Sequence, residues 1–217
     1  MRRRETRRLV AGVLGVGAGL LVMAAPSAAP AQDRGRAAQQ YKLCTACHGE
    51  NGQGDRERNA PVIGGLPAWY VENQLNKFKQ GWRGYKANDD TALQMRPMAS
   101  TLMTDADVKG MAAYVASLQP GRPAPSVTGD AERGKTLYAT CLACHGPDAK
   151  GSEALKAPPT GRQADWYIVA QLKKFRAGLR GAHKDDATGA QMRAMSATLP
   201  DDQALNDVAV YIRSLGD

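Results

Sequence analysis

The spacing of apolar residues predicts a helix at the end of each half of the chain. After Thr104 and after Asp201, apolar side chains recur every three or four positions, as they do on one face of a helix. Thr104 and Asp201 are residue types that accept hydrogen bonds from the first free N–H groups of a helix, so each is a suitable N-cap. The two apolar stripes are Val108, Met111, Ala112, Val115 and Leu118, and Leu205, Val208, Ala209, Ile212 and Leu215.

The rest of each half has a second predicted helix and a long loop. Residues 69–80 and 166–177 each start with a Trp-Tyr pair and end near a glycine, and we predict a helix in both. A short first helix is expected before each pair of cysteines. Residues 49–66 and 146–163 are rich in Gly, Pro and polar residues, which predicts loops. Strand signals are weak, so the predicted fold class is all-α.

The two halves align without a gap at an offset of 97 residues, which indicates a tandem duplication. We predict a first domain at residues 32–118 and a second domain at residues 130–217. Residues 119–129 contain three prolines and are predicted to form an extended, semi-rigid linker. The matched residues include Trp69 and Trp166, Phe78 and Phe175, Gln94 and Gln191, and Leu102 and Leu199.

Residues 1–31 have the order of a secretory signal peptide. Five arginines precede an apolar stretch at residues 9–25, and Ala29-Pro30-Ala31 then fits a cleavage site. The alternative is an uncleaved membrane anchor, because the apolar stretch is near the shortest length that spans a bilayer. The Arg7-Arg8 pair also allows a twin-arginine export signal. The protein is therefore expected in the periplasm, free or anchored to the membrane.

The net charge of the chain excludes one class of partner. Its formal charge is +8, and residues 1–31 contribute five Arg and one Glu, so the remainder carries +4. That remainder has no basic stripe, and we expect no nucleic-acid partner. With 43% hydrophobic and 23% charged residues, the chain is neither disordered nor a multi-span membrane protein.

A Cys-x-x-Cys-His motif, present twice, carries the chemistry. The two copies are Cys44-Thr45-Ala46-Cys47-His48 and Cys141-Leu142-Ala143-Cys144-His145. This is the attachment pattern of c-type haem, because two thiols on one helical turn reach the two vinyl groups of a haem edge and the next histidine lies under the ring. We therefore predict two covalently bound haem c groups, with His48 and His145 as iron ligands. Haem would also fill the core of domains that are small and rich in loops.

Three other interpretations of the cysteines are weaker. A disulfide or a thioredoxin-like redox pair suits an oxidising compartment, but the βαβ pattern of thioredoxin-like proteins is absent. Zinc bound by four Cys and two His would not explain two complete repeats, each with its own histidine. All four cysteines of the chain belong to the two motifs.

The residues alone leave the ligand on the opposite face of each haem open. A methionine opposite the histidine raises the reduction potential and gives an iron with no free position. The first domain offers Met95 or Met98 and the second offers Met192 or Met195. Any of these methionines could instead pack in a core.

With these motifs the chain resembles the class I cytochromes c, and in its duplication it resembles the bacterial dihaem cytochromes of the c4 type. The resemblance covers essentially all of the chain after residue 31, and it implies that the two domains pack with pseudo-two-fold symmetry. It rests on Cys-x-x-Cys-His-Gly, on Trp-Tyr-x-x-x-Gln-Leu-x-x-Phe and on Met-x-x-Met-x-x-x-Leu, each present in both halves. It implies that Met95 and Met192 are the axial ligands, rather than Met98 and Met195.

The resemblance also implies roles for residues around the haem. The carbonyl groups of Pro61 and Pro158 are expected to accept the second ring N–H of each ligand histidine. Arg83 and Arg180 either pair with haem propionates or end a helix in solvent. Trp69 and Trp166 are expected in the core or in the wall of the haem cavity, and His183 on the surface.

The function that this resemblance implies is electron transfer. The expected partners are redox proteins: a quinol-oxidising complex or a dehydrogenase as donor, and a terminal oxidase or reductase as acceptor. One alternative is a dedicated cytochrome subunit of a periplasmic dehydrogenase or reductase. An enzyme such as a dihaem peroxidase is a further alternative, but it needs one iron with a free position, and two methionine-bearing repeats argue against it. The haem loops differ between the halves, at residues 50–54 and 147–151, so the two haems are expected to differ in environment.

Overall fold

The computed structural model describes residues 31–216, with side chains from residue 34. The predicted signal peptide therefore lies outside the described residues, apart from Ala31, where the first helix begins. The described residues form nine α-helices and no strand, which confirms the predicted all-α class. The helices are α1 (Ala31–His48), α2 (Ala68–Lys79), α3 (Asp90–Ser100), α4 (Asp105–Ser117), α5 (Ala131–Tyr138), α6 (Leu142–His145), α7 (Asp165–Arg176), α8 (Ala187–Ser196) and α9 (Asp202–Ser214). Among them, none combines the length and the apolar character that crossing a membrane requires.

The helices repeat with the same 97-residue offset as the sequence. Helices α2 and α4 of the first domain correspond residue for residue to α7 and α9 of the second. The helix that leads into the cysteine motif differs, since α1 runs through its motif whereas α5 stops and α6 starts again inside the second motif. The prediction of a short first helix is thus confirmed for the second domain only.

The predicted N-caps are present in both terminal helices. Thr104 and Asp107 form a capping box at the start of α4, in which each side chain accepts a hydrogen bond from the backbone N–H of the other residue. Asp201 caps α9 by accepting a hydrogen bond of 2.6 Å from the N–H of Ala204. Caps of this kind contribute about 1 kcal/mol each to helix stability, and they fix where the last helix of each domain begins.

Helices α3 and α8 were not predicted, although both carry candidate methionines. Helix α3 contains Pro97, and α8 contains Gly189, two residue types that weaken a helix interior. Each helix is short and buries only small residues, namely Ala92 and Ala99 in α3 and Gly189 and Ser196 in α8. No apolar stripe was therefore available to indicate them.

Each domain core forms where its first and last helices cross. In the first domain Tyr41, Leu102 and Met111 are buried together, and in the second Tyr138, Leu199 and Leu205. The second crossing is very close: a Cβ added to Gly134 on α5 would lie 2.1 Å from the backbone oxygen of Asp207 on α9. Only glycine fits there, because it has no side chain to separate the two helices.

The two domains pack against each other through reciprocal contacts. Lys77 on α2 reaches Asp186 and Thr188 at the start of α8, and Lys174 on α7 reaches Asp89 and Thr91 at the start of α3. The two sets of contacts are related by the 97-residue offset, as pseudo-two-fold packing requires. An asymmetric contact adds to them, since the side-chain amide of Gln163 bonds both backbone groups of Val62.

Candidate haem cavities

Each domain contains one large cavity between its cysteine motif and its methionine helix. The cavity of the first domain encloses about 1100 Å³ and that of the second about 1020 Å³, both counted with their open mouths. Both walls are mainly apolar, from residues such as Val71, Phe78 and Met111 in the first, and Ile168, Phe175 and Val208 in the second. Cys44 and His48 also line the first cavity, and Cys141 and His145 line the second. An apolar space with a thiol and an imidazole in its wall suits a large apolar group with a metal at its centre.

The two motif histidines are held in one ring orientation by backbone carbonyls. His48 donates from Nδ1 to the carbonyl oxygen of Pro61 at 3.0 Å, and His145 donates from Nδ1 to that of Pro158 at 2.9 Å. A carbonyl can only accept, so the proton is on Nδ1 and Nε2 keeps its lone pair for a metal. Burial lowers the pKa of both histidines and outweighs the opposite effect of the carbonyl contact, which favours the neutral imidazole that iron requires.

Two buried tyrosines that the sequence analysis did not single out fix the end of each motif. The hydroxyl of Tyr41 donates to the carbonyl of Gly49 at 2.9 Å, and that of Tyr138 donates to the carbonyl of Gly146 at 2.8 Å. Both glycines have positive φ, which turns the chain sharply away directly after the histidine. The repeat could have indicated these tyrosines, because Tyr41 and Tyr138 are related by the same offset of 97 residues.

The cysteines do not have the properties of a redox pair or a zinc site. Burial raises the pKa of Cys44 to about 11 and also raises that of Cys141, whereas reactive cysteine pairs have lowered pKa values. No disulfide joins the four cysteines, all of which lie in the described part of the chain. Across residues 34–216, no three His, Cys, Asp or Glu side chains cluster as a metal site would require. Cys44, Cys47 and Cys141 line the cavities, and Cys144 is exposed.

The structure separates the two candidate methionines of each domain. Met95 lines the first cavity and Met192 lines the second, each on the wall that α3 or α8 provides. Met98 is 39% exposed, and neither it nor Met195 lines a cavity. Met95 and Met192 are thus the pair that shares a cavity with the motif histidines.

Arg83 and Arg180 lie at the cavities and not at a solvated helix end. Arg83 is only 8% exposed, donates to the amide oxygen of Gln74 at 2.9 Å and lies over the ring of Phe78. Arg180 donates to Gln171 at 2.8 Å and continues across the domain interface to Gln74 and the Tyr70 hydroxyl. Within the described residues neither guanidinium forms an ion pair with a carboxylate, so both are suited to the anionic propionates of a haem.

Each cavity is closed in part by the other domain. Tyr70, Gln74 and Lys77 of the first domain line the second cavity, and Tyr167 and Gln171 of the second domain line the first. Trp69 and Trp166 line neither haem cavity and are partly exposed, so the expectation for these two residues is wrong; each packs against the tyrosine that follows it. His183 is partly exposed, with 26% of its side chain accessible, and its ring also stacks on Trp82 across the interface.

The comparisons with known proteins agree with this geometry. The family model for cytochrome c matches residues 33–119 and 131–216. The chain is 34% identical, over 83% of its length and 81% of the relative, to the thiosulfate dehydrogenase electron acceptor of Thiomonas intermedia (strain K12). It is also 34% identical to cytochrome c4 of Thiocapsa roseopersicina, over 80% of this chain and 87% of that protein. The crystal structure of reduced recombinant cytochrome c4 from Pseudomonas stutzeri superposes with a TM-score of 0.67 and 25% identity, covering 83% of this chain and 97% of that one.

The chain therefore belongs to the cytochrome c family, and it contains two such domains in tandem. It is a dihaem electron-transfer protein, similar in its duplication to cytochrome c4. The prediction of two covalently bound haem c groups, at Cys44 and Cys47 and at Cys141 and Cys144, is confirmed, as is the prediction that the protein carries electrons rather than catalysing a reaction on a substrate.

Proposed function

We propose that this protein is a periplasmic electron carrier in which both irons are closed, the first by His48 and Met95 and the second by His145 and Met192. The observation that carries the proposal is the pairing inside each cavity, where a neutral histidine and a methionine line the same space. A haem c held in this way exchanges single electrons and has no position for a substrate. The protein's part is to hold both ligands in place and keep the ring largely out of water.

The side chains around each cavity have separate tasks in this proposal. Pro61 and Pro158 orient the histidines, since a fixed Nδ1–H contact sets the ring plane and makes Nε2 a better ligand. Arg83 and Arg180 would offset the negative charge of the propionates of a bound haem. The apolar walls lower the local dielectric, and burial of this kind together with a methionine ligand raises the reduction potential.

We further propose that the donor is a periplasmic dehydrogenase and the acceptor a terminal oxidase or reductase. The similarity to an electron acceptor of thiosulfate dehydrogenase supports the donor class. The test is to mix the oxidised holoprotein with a thiosulfate dehydrogenase and thiosulfate and to follow the haem absorption bands. Both haems are expected to become reduced only when enzyme and thiosulfate are both present. A chain that stays oxidised with this donor, yet turns over peroxide, would contradict the carrier role.

The alternative of a dedicated subunit makes a different prediction for the native protein. A mobile carrier elutes at its own mass when it is purified from the periplasm, whereas a subunit elutes with its dehydrogenase. The proposed location is tested in the same preparation. The predicted cleavage site places Gln32 at the N-terminus of a periplasmic protein, and a retained N-terminus in the membrane fraction would favour an anchor.

A further inference from the structure

A lysine of each domain binds the start of the methionine helix of the other domain. Lys77 on α2 donates to Asp186 at 2.6 Å and to Thr188 at 2.6 Å, and both partners belong to the start of α8. The side chain of Lys77 is 7% exposed and that of Asp186 is 2% exposed. On the other side, Lys174 on α7 binds Asp89 and Thr91 at the start of α3 in the same way. We call these two contacts the lysine clasps.

The aspartate of each clasp is the N-cap of the helix that carries the candidate ligand. Asp186 precedes α8 and accepts a hydrogen bond of 2.9 Å from the N–H of Gly189, so one carboxylate joins the first turn of α8 to Lys77. Met192 lies farther along this short helix and lines the cavity that Lys77, Asp186 and Thr188 also line. Because a helix moves as a unit, fixing its first turn fixes where Met192 lies.

Global stability alone is a poor explanation for such a pair. Removing two charges from water costs several kcal/mol per ion, and an apolar pair of similar size is often equally stable. What a buried pair supplies is a defined geometry, since the ammonium group binds only where carboxylate and hydroxyl oxygens converge. Here the convergence point is the N-terminus of a ligand-bearing helix.

We propose that the lysine clasps are cross-domain positioning devices: Lys77 of the first domain holds Met192 on the iron of the second, and Lys174 of the second domain holds Met95 on the iron of the first. The inference rests on the ligation proposed above and goes beyond it. Each haem is then fully assembled only while the domains are docked, so separation of the domains loosens both methionine ligands.

The two clasps are not equally strong. Asp186 both binds Lys77 and caps α8, whereas the side chain of Asp89 makes no cap hydrogen bond to α3. Lys174 is also more exposed than Lys77, at 19% against 7%. The Lys77 clasp is therefore the tighter one, and the haem of the second domain depends more on its neighbour.

The test compares the holoproteins Lys77→Met and Lys174→Met with the wild type by proton NMR in the reduced state. A methionine bound to ferrous haem gives a methyl signal shifted far upfield by the ring, so two such signals are expected, and Met192→Ala identifies the signal of the second domain by its loss. Lys77→Met is expected to shift or broaden the second-domain signal and to leave the first-domain signal in place. Lys174→Met is expected to do the reverse, with a smaller change.

A kinetic measurement gives the size of the effect. Imidazole added to the oxidised protein displaces a loosely held methionine from the iron. Each lysine variant loses the hydrogen bonds of its ammonium group, so it should speed this displacement roughly tenfold at the haem of the other domain. Lys173→Met is the matched control, since Lys173 is on the same helix as Lys174 but pairs with Asp202 of its own domain at the surface. Lys77→Arg keeps a charged donor at this position. Its second-domain methyl signal is therefore expected to lie between those of Lys77→Met and the wild type.

The outcomes separate this inference from the ligation on which it rests. If the wild type lacks two upfield methyl signals, the proposed histidine–methionine ligation is wrong. If it has both, and Lys77→Met leaves the second-domain signal and its displacement rate unchanged or alters the first-domain haem instead, the clasps do not position the ligands. Should Lys77→Met yield too little holoprotein, Lys77→Gln is measured in the same way with the same expected direction.

Discussion

The contact between Gly134 and Asp207 gives a prediction whose size follows from the structure. A Cβ at position 134 would lie 2.1 Å from the backbone oxygen of Asp207 and 2.9 Å from Cβ of Tyr211. An ordinary contact between carbon and oxygen is about 3.3 Å, so Gly134→Ala has to separate α5 and α9 by about 1.2 Å. These two helices enclose the core of the second domain, and their separation loosens every side chain between them.

The expected cost is the balance of two terms. Overpacking of this kind costs typically 1–3 kcal/mol, whereas alanine is favoured over glycine inside a helix by up to about 1 kcal/mol. We expect Gly134→Ala to lower the free energy of unfolding by about 1–2 kcal/mol, or the melting temperature by roughly 5–15 °C for a domain of this size. The assay is guanidinium unfolding of the holoprotein, followed by its helical circular dichroism.

Gly110→Ala is the matched control for this prediction. Gly110 lies at the corresponding crossing of α1 and α4 in the first domain, where an added Cβ would lie 3.9 Å from that of Ala37, an ordinary contact. Here only the helix preference acts, so stability should stay the same or rise by up to about 1 kcal/mol. The reasoning is refuted if Gly134→Ala is as stable as the wild type, or if both variants lose stability equally.

Three further predictions concern the second haem motif, Tyr138 and Asp107. Cys141→Ser combined with Cys144→Ser should leave one covalent haem per chain, measured as the haem-to-protein ratio after denaturation, and a ratio of two would contradict the assignment of the second site. Tyr138→Phe should lower the free energy of unfolding by about 1 kcal/mol, because the carbonyl of Gly146 loses its donor, and urea titration that shows no loss would contradict this role. Hydrogen bonds from Gln40 and Thr104 hold the pKa of Asp107 below its ordinary value, so their stabilisation is complete above a pH of about 4 and is lost as the pH falls further. Asp107→Asn should thus be less stable than the wild type at neutral pH, with a difference that shrinks in acid, and an equal difference at both pH values would contradict the linkage.

Short-range sequence features were enough to predict the last helix of each domain, but not the helix before it. The terminal helices α4 and α9 were predicted because a capping residue and an apolar stripe are both short-range features. Helices α3 and α8 escaped prediction because they bury few residues and contain Pro97 or Gly189. Their position depends on packing, which a single sequence does not display.

The same distinction applies to the site. The cysteines and histidines follow from one contiguous motif, and the repeat shows each of them twice. The residues alone left Met95 and Met98 open and the family resemblance favoured Met95, whereas the structure adds which side of α3 meets the cavity. The lysine clasps were beyond reach, because Lys77 and Asp186 are 109 residues apart and belong to different domains, although the repeat does show each residue type twice.

An optical redox titration of the purified holoprotein, repeated under carbon monoxide, tests the central claim most directly. The account predicts two low-spin haems, each reduced by one electron at a raised potential, and a reduced spectrum that carbon monoxide leaves unchanged, because Met95 and Met192 close both irons. A high-spin fraction, or one haem that binds carbon monoxide, would contradict it and would identify an iron with a free position.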